Sequence, residues 1–123
     1  MAYLQYFIFI IMNYLVTENQ VSNLAMTYLN GRYHLEKYRT DKHPEIIFYV
    51  IEDKIYMEWD IKNSDVYISK RLMHEIRRHL ENIFGLGLYN GRKVFDMWIA
   101  QYVDTSINDV RFSETLPYTV NDI

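Results

Sequence analysis

The sequence predicts an α+β fold: an N-terminal helix, an antiparallel β-meander of three to four strands, and two C-terminal helices packed on one face of the sheet. Three observations carry this expectation. Along the chain the apolar period runs from helical to two and back to helical, the order of a fold in which helices and strands are segregated. The 123 residues suffice for one core without staples, since a chain of about this size buries roughly two-thirds of the surface its unfolded form exposes. Half of the residues are apolar, 16% are aromatic and 24% are charged, far from the low-hydrophobicity signature of disorder.

Residues 1–17 carry no charged side chain, and only Gln5 and Asn13 interrupt the run MAYLQYFIFIIMNYLV. A membrane helix needs about 20 apolar residues, so this run sits at the short limit. It also lacks the basic start and small-residue cleavage site of a signal peptide. The expectation is an apolar extension over 1–11 and a single domain over 12–104 opening at or near Met12, with a membrane anchor over the apolar run as a lesser alternative. Thr17 and Gln20 have capping-box spacing, and Val21, Leu24, Ala25, Tyr28 and Leu29 recur at helical intervals until Gly31, which predicts a helix over 18–30.

Strands are expected at YHLEKYR, at Ile46 to Ile51, at Lys54 to Ile61 and at DVYIS, separated by turn residues such as Pro44, Glu52-Asp53 and Asn63-Ser64. In the third of these, Ile55, Met57, Trp59 and Ile61 alternate with Tyr56, Glu58 and Asp60, so one face is core and the other wet. The strand before it is apolar on both faces, as a strand covered on both sides should be. Ser69 caps a second expected helix, with Leu72, Met73, Ile76, Leu80, Ile83 and Phe84 as its apolar stripe and Gly85 as its stop. Asn90 is the expected cap of a third, with Val94, Phe95, Trp98, Ile99, Tyr102 and Val103 inward. Residues 105–123, with Pro117 and clustered polar side chains, read as a C-terminal tail with one edge strand at most.

Composition narrows the chemistry. There is no Cys, which removes disulfides, thiolate nucleophiles and cysteine-based metal sites and fits a reducing compartment. The net charge of −3 rules out a polycation that binds nucleic acid by bulk charge, though not a local patch. In HEIRRH, His74 and His79 stand five residues apart, about 140° around a helix, so they cannot grip one metal as the zinc-protease spacing does. The G-x-G of FGLGLYNG follows a helix rather than a strand, so Gly85 and Gly87 read as stop and turn formers, not as a dinucleotide fingerprint. No metal and no cofactor are expected. Glu58 and Asp60 share a strand face and form the only enzyme reading, an acid and base pair, without the neighbouring His or phosphate loop that would complete it.

The charge pattern is more specific. Between Lys70 and His79 there are four Lys or Arg against Glu75 alone, and the next helix opens with Arg92 and Lys93. Lys70, Arg71, His74, Arg77, Arg78, Arg92 and Lys93 therefore form a candidate phosphate-contacting set, with Tyr56 and Tyr67 as candidate stacking aromatics. The ordinary alternative is a solvated face with Glu75 paired to Arg71 or Arg78.

From Met12 onward, MNYLVTENQV, YLN at Tyr28 to Asn30, IIFYVIEDKIYMEWDI and the helical end resemble small uncharacterised proteins encoded by T4-like tailed phages. The likeness spans Met12 to Val103 as an order of elements. It implies a soluble protein in the cytoplasm of a bacterial host and transfers no catalytic residue. With Tyr, Trp, Met and Arg abundant, the residue types enriched at interfaces, the expected function is a non-enzymatic phage accessory module that binds another macromolecule. Its partner would be a host or phage protein or a second copy, with nucleic acid as the alternative.

Overall fold

A computed structural model describes residues 18–103 and 109–123. The expectations at 1–17, including the capping box at Thr17 and the start at Met12, lie outside the described residues, as do residues 104–108. The elements run α1 (Glu18–Arg32), β1 (Glu36–Tyr38), β2 (Ile46–Ile51), β3 (Lys54–Asp60), β4 (Asp65–Ser69), α2 (Lys70–Phe84), α3 (Leu88–Ala100), β5 (Asp109–Ser113) and β6 (Tyr118–Thr119), followed by a 3-10 turn, Val120–Asp122. Among the described residues the fold is thus mixed α+β, with three helices and a six-stranded sheet.

Two parts of the expected topology are corrected. Strands β1 to β4 form an antiparallel series, but β5 lies parallel to β4, from Asp65 opposite Asp109 to Ser69 opposite Ser113, so the sheet is mixed and not a meander. A parallel neighbour needs a crossover of a dozen or more residues, and α2 and α3 supply it. The two helices are therefore internal to the chain, and residues 105–123, expected as a tail, contribute β5 and β6. Packing groups the described residues into two compact units, one of 18–32 and Glu75–Ile99, the other of Tyr33–His74 with 100–103 and 109–123.

In the second unit the sheet is apolar on both faces of β2, for reasons the register supplies. On one face Ile47 pairs with Trp59 and Trp59 with Val66, while Tyr49 pairs with Met57 and Met57 with Ile68, and all six are buried. On the other, Phe48, Ile55 and Leu116 form a buried cluster flanked by Ile46, Val50, Tyr67, Tyr118, Val120 and Ile123. Burying each such side chain contributes about 1.5–3 kcal/mol. Ile55 reaches this cluster because of a β-bulge. Tyr49 faces Met57 but Val50 faces Ile55, so Tyr56 is an extra residue and Ile55 moves to the face of Phe48 and Val50. The expected alignment of Ile55 with Met57 and Trp59 is corrected accordingly, and Ile61 lies beyond the strand, exposed.

The hairpin between β2 and β3 turns on Glu52 (φ 48°) and Asp53 (φ 65°), both at positive φ as a type I′ turn requires, without a glycine. The C-terminal segment locks onto it: Tyr118 pairs with Ile55 and Thr119 with Lys54, on the edge of β3 that β4 leaves at Met57, and the Val120 N–H donates to the Asp53 carbonyl at 2.9 Å.

Helix boundaries follow local chemistry. The Leu72 N–H donates to Ser69 Oγ at 3.3 Å, the expected N-cap of α2. Gly85 stops α2 at φ 64°; its N–H donates to the Glu81 carbonyl at 3.0 Å and the Leu86 N–H to that of Leu80 at 3.1 Å. α3 opens at Leu88, ahead of the expected cap Asn90, because the Gly87 carbonyl accepts the Gly91 N–H at 2.8 Å. α1 runs through Gly31 to Arg32, since an interior glycine costs only about 1 kcal/mol.

Two stability changes follow. Leu116→Ala should lower the unfolding free energy by about 2–4 kcal/mol in urea titration; a change below about 0.5 kcal/mol, the value for an unpacked tail, would refute the cluster. Replacing the turn by the preferred pair, Glu52→Asn with Asp53→Gly, should raise stability by about 1 kcal/mol by relieving two left-handed side-chain residues.

Candidate functional site

The site is built on α2. With about 100° per residue, Lys70, Arg71, His74, Arg77, Arg78, Glu81 and Asn82 fall on one arc. All seven are exposed, whereas Leu72, Ile76, Leu80, Ile83 and Phe84 on the opposite arc are buried. The strongly amphipathic stripe is what the apolar spacing predicts. Lys70 and Arg71 are the first two residues of the helix, whose first turn holds no acid. Cations there oppose the helix dipole, an arrangement that a bound anion relieves.

The partners of these side chains decide which are available. Lys70 Nζ donates to Glu114 Oε1 at 3.1 Å, an exposed pair worth at most about 1 kcal/mol and readily exchanged. Glu75 does not neutralise Arg71 or Arg78, contrary to the ordinary reading. Its carboxylate lies 3.6 Å from Arg32 Nη2 and 3.7 Å from His79 Nε2. Among the described residues Arg71, His74, Arg77 and Arg78 have no hydrogen-bond or ion-pair partner.

Arg92 and Lys93 are engaged on their own helix. Arg92 Nε donates to Asp96 Oδ1 at 2.8 Å, and the Lys93 ammonium stands 5.3 Å from the centre of the Tyr89 ring. Since α3 opens at Leu88, both sit in its second turn, behind the N-terminal turn in which a cation opposes the dipole as Lys70 and Arg71 do on α2. The candidate set thus divides into five residues on α2 and two committed elsewhere.

The two His play different parts. His74 lies on the exposed arc, while His79 is half-buried, its Nδ1 3.1 Å from the Tyr28 hydroxyl and its ring 5.8 Å from that of Tyr28. Among the described residues no group of three or more His, Cys, Asp or Glu could hold a metal ion, and no helix is long and apolar enough to cross a membrane. Tyr67, one of the expected stacking aromatics, is half-buried and packs against the Phe48, Ile55 and Leu116 cluster.

Glu58 and Asp60 do share a face, opposite Phe48 and Ile46 respectively. Each is held in a structural bond. Asp60 accepts the Asn63 side-chain amide at 2.8 Å and the Asn63 backbone N–H at 3.2 Å, and these bonds hold its carboxyl below the usual range. Glu58 accepts the Tyr118 hydroxyl, which no spacing in the sequence announces. Burial, followed by that bond to Glu58, pushes the Tyr118 phenol well above its ordinary value.

Comparison with known protein families, curated proteins and solved structures finds no match for this chain.

Because folding favours the neutral Tyr118 phenol, its contribution to stability is fully present below the ordinary tyrosine value of 10.0 and is lost as the pH rises through the higher value of the folded group. Tyr118→Phe should therefore flatten the alkaline decline in stability, and should cost about 1–2 kcal/mol at neutral pH by leaving Glu58 without its donor. Urea titrations at neutral and alkaline pH measure both; an unchanged alkaline limb would contradict the assignment.

Proposed function

We propose that this protein is a non-enzymatic macromolecule-binding module, that its contact surface is the cationic arc of α2, and that its ligand is a nucleic acid held through phosphates. The observation that supports this most is the availability of Arg71, His74, Arg77 and Arg78 on one exposed helical face, with Lys70 beside them in an exchangeable pair. From Lys70 to Arg78 the arc is about 12 Å long, matching the width of a duplex major groove, into which an α-helix fits. Three of the five residues are Arg, whose planar fork binds phosphate oxygens bidentately. A net charge of −3 on the whole chain then favours docking by this face over others. The interface-type residues that suggested a protein partner are elsewhere: Trp59 and Trp98 are buried, and Tyr89 and Met97 lie on α3.

Four phosphate contacts give a salt slope near −4, so affinity for a duplex oligonucleotide should fall roughly a hundredfold between about 50 and 200 mM salt. Fluorescence anisotropy titrations read this directly. Arg77→Glu with Arg78→Glu should abolish most binding at low salt, while Arg92→Glu with Lys93→Glu should change it little. No binding at low salt, or binding indifferent to reversal of Arg77 and Arg78, would sink the proposal.

A further inference from the structure

α3 carries an outward face that the nucleic-acid reading does not use. Among the described residues, three of the six exposed large hydrophobics lie on this helix: Leu88 at 69%, Tyr89 at 74% and Met97 at 47% exposure. At about 100° per residue they share one half of the helix with Arg92, Lys93, Asp96 and Ala100, and all of these are exposed. Side chains this size left in water across three turns mark an interaction surface rather than scattered apolar residues.

The pattern on that face is its own complement. Tyr89 and Met97 are centred on residue 93, Arg92 and Asp96 on residue 94, and Leu88 and Ala100 also on 94. These centres agree to within one residue, about 1.5 Å along the axis. A two-fold axis perpendicular to α3 at that point sets residue i of one chain against residue j of the other and j against i. It brings Tyr89 toward the other copy's Met97, an aromatic–thioether contact, with Leu88 and Ala100 at the two ends of the face. It also brings Arg92 to Asp96, which within one chain are 2.8 Å apart, so that two guanidiniums and two carboxylates form a four-charge network. Lys93, nearest the axis, has its ammonium over the Tyr89 ring, one turn away, which keeps like charges from meeting there. A parallel arrangement would instead oppose Arg92 to Arg92 and Asp96 to Asp96.

We infer that the outer face of α3 pairs antiparallel with the same face of a second copy of this chain. A single helix pair buries the area of a small, transient interface, so dissociation is expected in roughly the micromolar range. Sedimentation equilibrium of the full chain across that range tests it. The expected result is a monomer–dimer equilibrium that Tyr89→Glu, Met97→Glu and Arg92→Asp each shift at least about tenfold toward monomer. The double exchange Arg92→Asp with Asp96→Arg should regain the original constant within about threefold, and such recovery also shows that the single variants were folded. A monomer at every concentration, a dimer unaffected by Tyr89→Glu and Met97→Glu, or a double exchange that fails to restore association would each overturn the proposal.

Discussion

The hydroxyl of Ser69 joins two requirements that neither the sheet nor the helix meets alone. Its oxygen accepts the Leu72 N–H at 3.3 Å and its O–H donates to the Leu116 carbonyl at 3.3 Å, so one buried group caps α2 and anchors a segment 47 residues further on. Ser69 is the one polar residue that is buried among the described residues, and a buried hydroxyl costs several kcal/mol unless it is bonded. Because it is both the last residue of β4 and the N-cap of α2, the helix begins at Lys70. The first turn then sends Leu72 inward and leaves Lys70 and Arg71 outside. The same bond holds Leu116 where Phe48 and Ile55 need a third apolar partner.

The charge distribution follows from this placement. α2 has no acid in its first turn, and of its two acids Glu75 is turned toward Arg32 and His79 while Glu81 stands exposed toward the C-terminal end. No acid of the helix is therefore ion-paired with Arg71, Arg77 or Arg78, and a dipole that opposes the first-turn cations adds to the imbalance. α3, by contrast, answers its cations locally, Arg92 with Asp96 and Lys93 with the Tyr89 ring. The two helices share a connection of three residues and yet carry surfaces of opposite character, one with cations that no acid pairs and the other nearly self-sufficient in charge and exposed in its apolar groups.

Much of this was legible in the sequence where a period could accumulate. α1 and α2 repeat their apolar stripe over several turns, and β2, β3 and β4 show alternation or continuous burial over five to seven residues, so their existence was visible. In 105–123 the expectation allowed one edge strand, the place β5 takes, but its position and its pairing with β4 were not legible among clustered polar residues; β6 was missed because two residues hold no period and Pro117 pointed to loop. The bulge at Tyr56 was hidden for a different reason: the alternation on either side of it is unbroken, and only the pairing with Val50 shows that Ile55 has changed faces. In the site, the cations of α2 were readable by spacing, and the Arg92–Asp96 interval was a visible i,i+4 pair. What could not be read was the long-range traffic, Lys70 to Glu114 and Tyr118 to Glu58, since bonds across 44 and 60 residues leave no local trace.

The parallel pairing of β4 with β5 sets a schedule for folding on the ribosome. β4 is finished at Ser69, but its neighbour begins at Asp109, so about forty residues must be translated before that edge is filled. At roughly 5–20 residues per second the delay is about two to eight seconds. During it the Phe48 and Ile55 side of the sheet also lacks Leu116 and Tyr118. An open strand edge beside an uncovered apolar face is the combination that recruits other nascent chains. Codon choice between Lys70 and Asp109, which sets the length of that interval, is therefore a determinant of soluble yield for this topology.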